Sequence, residues 1–131
     1  MNTKIAENLE KLNERIRRAV EKAGREPGGV TLVGVTKNRS VEEIVQALDA
    51  GLEHIGENRL QEAAEKLPLL EGRGRRHFIG HLQRNKVKDV LGLFDLIQSV
   101  DSPRLAREID KRARAAGMKV PVLMQVNTSG E

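Results

Sequence analysis

Lys37 is the residue in this sequence best placed for covalent chemistry. It follows the β-branched run Val30-Thr31-Leu32-Val33-Gly34-Val35-Thr36, and α/β folds gather ligands at the C-terminal ends of their strands. In an extended strand Lys37 shares a face with Thr31, Val33 and Val35. Apolar neighbours of that kind exclude water from the amine, lower its pKa and make the neutral nucleophile accessible. Such a lysine suits a Schiff base with an aldehyde. A solvated loop lysine beside Arg39 explains the same position and, on position alone, is the commoner case.

The other candidates also sit at strand ends. Gly56-Glu57-Asn58-Arg59 combines a glycine that permits close backbone approach with an amide able to bond a planar ligand. Asn58 is equally a favoured helix N-cap, and spacing alone favours the cap. In His77-Phe78-Ile79-Gly80-His81 the two histidines flank a strand and point in different directions, so they do not form a metal pair. His81 is placed to face a ligand at the strand end, and His77 reads as structural. Ser99, His81 and Asp101 make a triad on paper, but there is no G-x-S-x-G elbow. Gly72-Arg73-Gly74-Arg75-Arg76 is a basic turn without the aromatic platforms that base stacking needs, so nucleic-acid binding is not expected. There is neither a Walker A motif nor G-x-G-x-x-G.

These residues need a scaffold, and the hydrophobic pattern supplies one. Ile5, Leu9, Leu12, Ile16 and Val20 form one stripe of a helix over about residues 3–23, supported by Glu7–Lys11 and Glu14–Arg18 pairs. Gly24 and Pro27-Gly28-Gly29 end it. The strand at 30–36 is followed by a helix opened by the capping box Ser40-Val41-Glu42-Glu43. The unit then repeats. Strands are predicted at 54–57, 77–80, 96–100 and 120–127, with helices over about 59–67, 85–91 and 103–116. Strands therefore begin near residues 30, 54, 77, 96 and 120. Strand and helix alternating at that interval mean parallel βαβ units. An open doubly wound sheet and a (β/α)8 barrel both fit. Pattern leaves the two open. A complete barrel takes about 250 residues, so this chain is roughly half of one; the reading is one α/β domain over residues 1–131 with an N-terminal helix, five strands and four intervening helices.

Composition bounds the function. The 131 residues are 38% hydrophobic and 32% charged, which is globular. Phe78 and Phe94 are the only aromatics, so the core is aliphatic. The absence of cysteine excludes disulfides, thiolate metal sites and cysteine nucleophiles. The first residues lack an apolar segment, and no run approaches the roughly 18 apolar residues of a membrane helix. The expected location is the cytoplasm. The net charge of +4 is spread over every helix and selects no partner.

Five motifs in order carry a resemblance. They are Val33-Gly34-Val35-Thr36-Lys37, the stretch from His54 to Glu62, the stretch from His77 to Lys86, Gln98-Ser99-Val100-Asp101-Ser102, and the stretch from Gln125 to Glu131. Each alone is weak. Together, from Val30 onward, the chain closely resembles the pyridoxal phosphate homeostasis proteins, the YggS/PROSC family. The resemblance implies a partial (β/α)8 TIM-type barrel, like the N-terminal domain of alanine racemase. It implies pyridoxal 5′-phosphate on Lys37 as a Schiff base, with Asn58, Ile79, Gly80 and His81 lining the same mouth. It implies a role in binding, buffering and delivering the cofactor, without assigned catalytic turnover. In that family loops after the last strands grip the phosphate, and this chain stops after strand five. Open sheet edges there lead to the expectation of self-association. Two alternatives are a racemase-type enzyme, against which the absence of tyrosine weighs, and an inactive barrel fragment.

Overall fold

The structure, a computed structural model, describes residues 4–130. Helix α1 spans Lys4–Lys22, and the strands are β1 (Val33–Val35), β2 (His54–Glu57), β3 (Arg75–Phe78), β4 (Leu96–Val100) and β5 (Val122–Met124). Helices α2 (Val41–Asp49), α3 (Leu60–Lys66), α4 (Val87–Leu91) and α5 (Pro103–Ala115) connect them. Short 3-10 turns extend α3 through Leu67–Leu70 and precede α4 at Arg84–Lys86.

All four strand pairings are parallel, and the strand order is β1-β2-β3-β4-β5. A doubly wound sheet reverses its strand order at a switch point. Strictly sequential order without reversal is the winding of a barrel, so the sheet is an arc of (β/α)8 architecture. Among the described residues β1 and β5 are its edges.

Local chemistry explains the connections. Gly24, with φ 66, takes the left-handed conformation that lets Arg25 N–H bond Val20 O and end α1. The capping box of α2 is complete: Glu43 N–H donates to Ser40 Oγ at 3.1 Å and Ser40 N–H to Glu43 Oε1 at 3.1 Å. Ser102 caps α5 through Leu105 N–H, with Pro103 at the first helical position.

Alternation along the strands sends Ile55, Phe78 and Ile97 to the helix side. There they meet Ile44, Ala63, Leu67, Leu70, Val87, Val90, Leu105 and Ile109 in one buried cluster. The core is aliphatic apart from Phe78 and Phe94, whose rings pack edge to face at 5.2 Å. Each buried Leu, Ile or Val contributes about 1.5–3 kcal/mol of transfer free energy, so the scarcity of aromatics does not deprive the fold of a core. The opposite, concave face carries Val33, Gly56 and Ile79 in contact range of one another.

Three strands differ from the sequence pattern. β1 and β5 are shorter than the runs at 30–36 and 120–127, because each is laddered on one side only. β3 begins two residues before His77 and ends at Phe78. Arg75 N–H bonds Glu53 O, which starts the ladder early. No helix among the described residues is long and apolar enough to cross a membrane.

Candidate functional site

Register gathers the candidates into one row. Val35 pairs with Gly56 and Glu57 with Phe78. Continuing each ladder by a residue or two puts Lys37 level with Asn58, and Asn58 level with Ile79. Two hydrogen bonds beyond the paired strands hold this alignment: Thr36 N–H to Gly56 O at 3.0 Å and Ile79 N–H to Glu57 O at 2.9 Å. The row lies at the C-terminal ends of β1, β2 and β3.

Lys37 is exposed, on a turn beyond the end of β1. Its neighbour on the concave face, Val35, is 51% exposed. The apolar strand neighbours therefore do not desolvate the amine as expected from parity, since β1 is an edge strand with its concave side open. What the fold gives Lys37 is a fixed backbone. Arg39 N–H bonds Thr36 O at 3.1 Å to close the turn, and Asn38 sits at φ 59, a left-handed conformation that asparagine tolerates better than most residues.

A polar cluster on the helix side of the strand ends ties down this turn. Lys66, near the end of α3, places Nζ 2.7 Å from Thr36 O and 3.3 Å from Arg39 O. The same Nζ lies 2.9 Å from Glu57 Oε2 and 2.7 Å from Glu62 Oε2. Glu62 Oε2 also accepts Asn38 N–H at 2.6 Å. Thr36 Oγ1 donates to Glu57 Oε2, and Glu57 is 0% exposed. Burial alone would lower the Lys66 pKa. Its hydrogen bonds to Glu62 and Glu57 outweigh burial and hold the amine above the ordinary lysine value. The Lys66 hydrogen bond, then the Asn38 N–H, hold the Glu62 carboxyl below its ordinary value. Lys66 is thus a charged anchor for the turn that carries Lys37. Sequence reasoning passed over it; its only local signal was the i,i+4 pair with Glu62 inside the motif from His54 to Glu62.

Asn58 is not the helix cap. The N-cap of α3 is Arg59, and no side chain bonds there. Asn58 Oδ1 is buried with no hydrogen-bond partner among the described residues. Gly80 lies against the Asn58 backbone so closely that a Cβ would fall 2.2 Å from Asn58 O. Asn58 and His81 line a common cleft of about 530 Å³ with Arg59, Phe78 and Lys86. Lys37, Ile79 and Gly80 are not in its wall, so the cleft does not bring all the candidates together. His81 is 76% exposed, with Nδ1 4.0 Å from Asp101 Oδ2. Ser99 is buried and its Oγ has no partner among the described residues, so Ser99, His81 and Asp101 do not assemble a triad.

His77 belongs to the interior, as expected. Its Nε2 is 3.0 Å from His54 Nδ1 and its Nδ1 is 2.9 Å from Gln98 Nε2. An amide NH2 donating to Nδ1 makes His77 the Nε2–H tautomer, which then donates to His54. Desolvation, then His54 and Arg75, push the His77 pKa down, favouring that neutral form. Among the described residues no three His, Asp or Glu side chains are grouped to hold a metal.

The family model described as alanine racemase, N-terminal domain, matches residues 7–131. A pyridoxal phosphate homeostasis protein of Aquifex aeolicus is 42% identical over 126 residues, covering 95% of this chain and 55% of that relative. A crystal structure of an unknown protein from Bifidobacterium adolescentis superposes with a TM-score of 0.89 at 42% identity, over 97% of this chain and 56% of its own. The structure of PipY from Synechococcus elongatus with PLP bound superposes with a TM-score of 0.82 at 35% identity, over 95% of this chain and 55% of its own. The chain thus spans just over half the length of the relatives it matches.

Proposed function

We propose, for a chain that belongs to the alanine racemase N-terminal domain family, the binding of pyridoxal 5′-phosphate through a Schiff base on Lys37, in the service of intracellular homeostasis of that cofactor. The relatives' names and the cofactor in PipY support the class of ligand. The observation that carries the assignment to Lys37 is its place: an exposed amine on a pinned turn, level with an asparagine whose buried Oδ1 has no partner.

The residues fit the group. An aldehyde needs an accessible amine, and Lys37 is accessible. A ring hydroxyl or protonated ring nitrogen needs an acceptor, and the unpartnered Asn58 Oδ1 supplies one once the side chain turns out of its buried position. Gly56 has no side chain between Val33 and Ile79, where a Cβ would stand 3.2 Å from each, so the concave face stays low beneath the row. When bound, the cofactor supplies a reactive aldehyde and an electron-withdrawing ring. Lys37 would hold the group through that aldehyde, a condensation that releases one water. The turn around Lys37 supplies orientation, worth more for such a condensation than any change in intrinsic amine reactivity. The relatives' names support a role in pyridoxal phosphate homeostasis; we assign it to the cytoplasm and attach no turnover to the chain.

The test is titration of residues 1–131 with pyridoxal phosphate. The expected result is a visible absorbance band, a borohydride-fixed mass adduct on the peptide containing Lys37, and loss of both in Lys37→Ala. No band in the unsubstituted chain would sink the proposal, and an adduct on a different lysine would move the site.

A further inference from the structure

Lys66 does more than neutralise a buried carboxylate. A lysine that only paired with Glu57 would need one oxygen, yet Nζ lies within 3.3 Å of four. Two of these are the carbonyls of Thr36 and Arg39, the residues that bracket Lys37 and Asn38. A third, Glu62 Oε2, also holds the N–H of Asn38, the amide that follows Lys37. Three backbone groups around Lys37 are therefore bound to one ion cluster anchored on α3. The cluster is sheltered: the Lys66 side chain is 11% exposed and Glu57 is fully buried. Charge-assisted hydrogen bonds in such surroundings are stronger and more directional than exposed ones. Without them the turn is a surface loop with a non-glycine residue in the left-handed region. Such a loop relaxes readily to other conformers.

We propose that Lys66, acting with Glu57 and Glu62, is a positioning residue that locks the turn from Thr36 to Arg39, so that the Lys37 amine projects from the strand end in one direction. The purpose assigned to the lock rests on the reading of Lys37 as the cofactor-bearing lysine. The lock itself rests on the contacts alone. Lys66 stays charged and bound to oxygens, and Lys37 carries the free amine, so the two lysines divide anchoring from reaction.

The test uses the full chain and two readouts. The first is hydrogen exchange of the Asn38 amide without cofactor, referenced to the Ile55 amide in β2. The second is the equilibrium constant for the visible band formed with pyridoxal phosphate. In Lys66→Met the Asn38 amide is expected to exchange at least about ten-fold faster while Ile55 is unchanged. The band's equilibrium constant is expected to fall roughly ten-fold or more, because orientation is lost. Lys66→Arg, which keeps charge and donors, is expected to restore part of both. Where Lys66→Met does not fold, Glu62→Met removes the Asn38 acceptor from a partly exposed position and is expected to shift both readouts the same way. Asn38 exchange and the equilibrium constant each within about two-fold of the unsubstituted chain, in a folded variant, would overturn the proposal. Absence of any band in the unsubstituted chain counts against the cofactor reading instead, and Asn38 exchange alone then decides the lock.

Discussion

Replacing Gly80 with alanine should cost the fold more than the same change at any other strand-end glycine. A Cβ at Gly80 would stand 2.2 Å from Asn58 O and 2.8 Å from Asn58 C and Cα. Real Cβ contacts do not fall under 3.0 Å, so the two backbones would have to part by most of an ångström. The obstacle is main chain at the end of β2, held by Ile79 N–H to Glu57 O, and has no rotamer to change. Overpacking costs about 1–3 kcal/mol when side chains can adjust, and backbone displacement belongs at or above the top of that range. Gly→Ala returns about 0.4–1 kcal/mol by restricting the unfolded chain, leaving a net loss of about 2 kcal/mol or more. For a chain of this size that lowers Tm by roughly 6–10 °C. Two other alanines calibrate the claim. At Gly34 the Cβ meets a Leu52 methyl at 2.7 Å, which rotates away. At Gly56 it meets Ile79 and Val33 methyls at 3.2 Å, which need yield only a few tenths of an ångström. Thermal melts followed by circular dichroism should rank Gly80→Ala below Gly34→Ala, and Gly34→Ala below Gly56→Ala. A Gly80→Ala melt within about 2 °C of the unsubstituted chain, or a Gly56→Ala variant equally destabilised, would refute the close-packing argument.

Two further outcomes follow from the same structure. The lowered pKa of His77 means that the unfolded chain takes up a proton more readily than the folded one. Its contribution is therefore present above about pH 6.5 and lost as pH falls through the depressed folded value, with a slope of at most about 1.4 kcal/mol per pH unit. Urea unfolding between pH 8 and pH 5 should show this loss, and His77→Gln should flatten it; an unchanged slope in His77→Gln would place the loss elsewhere. Glu62, whose pKa is lowered, acts in a separate window below its ordinary carboxylate value, so the two effects can be resolved. Ser40→Ala removes one half of the α2 capping box and should destabilise by about 1 kcal/mol, read as a lower urea midpoint with an unchanged m-value.

The βαβ rhythm was legible because burial imposes it on every unit. β4 falls where its apolar run lies, having a neighbour on each side. The misplaced boundaries are those that pairing controls. The run His77-Phe78-Ile79-Gly80 looks like a strand by hydrophobicity, yet the ladder with β2 selects Arg75 to Phe78, and Gly80 is turned away against Asn58. The choice between an open sheet and a barrel was closed to sequence for a related reason. Strand order is a property of contacts between units, and each unit has the same local pattern in either fold.

At the site the same division holds, and it explains why the sequence points to Lys37 as a candidate and not to Lys66. Lys37 could be placed because a strand end is a local feature. Its surroundings could not, because parity names the residues on a face without saying whether another element covers that face. Asn58 was undecided between cap and ligand group until the cap proved to be Arg59. The partners of Lys66 include Thr36 and Arg39, 30 and 27 residues before it. No spacing rule links such positions; the parallel register of β1 and β2 brings them together. The helix side of the strand ends thus holds a charged, buried anchor, and the turn beyond β1 carries the exposed Lys37. On the function proposed for Lys37, its reactivity would depend less on an altered amine than on a backbone that cannot turn it away. This is a demand on residues of α3 that a motif centred on the lysine does not contain.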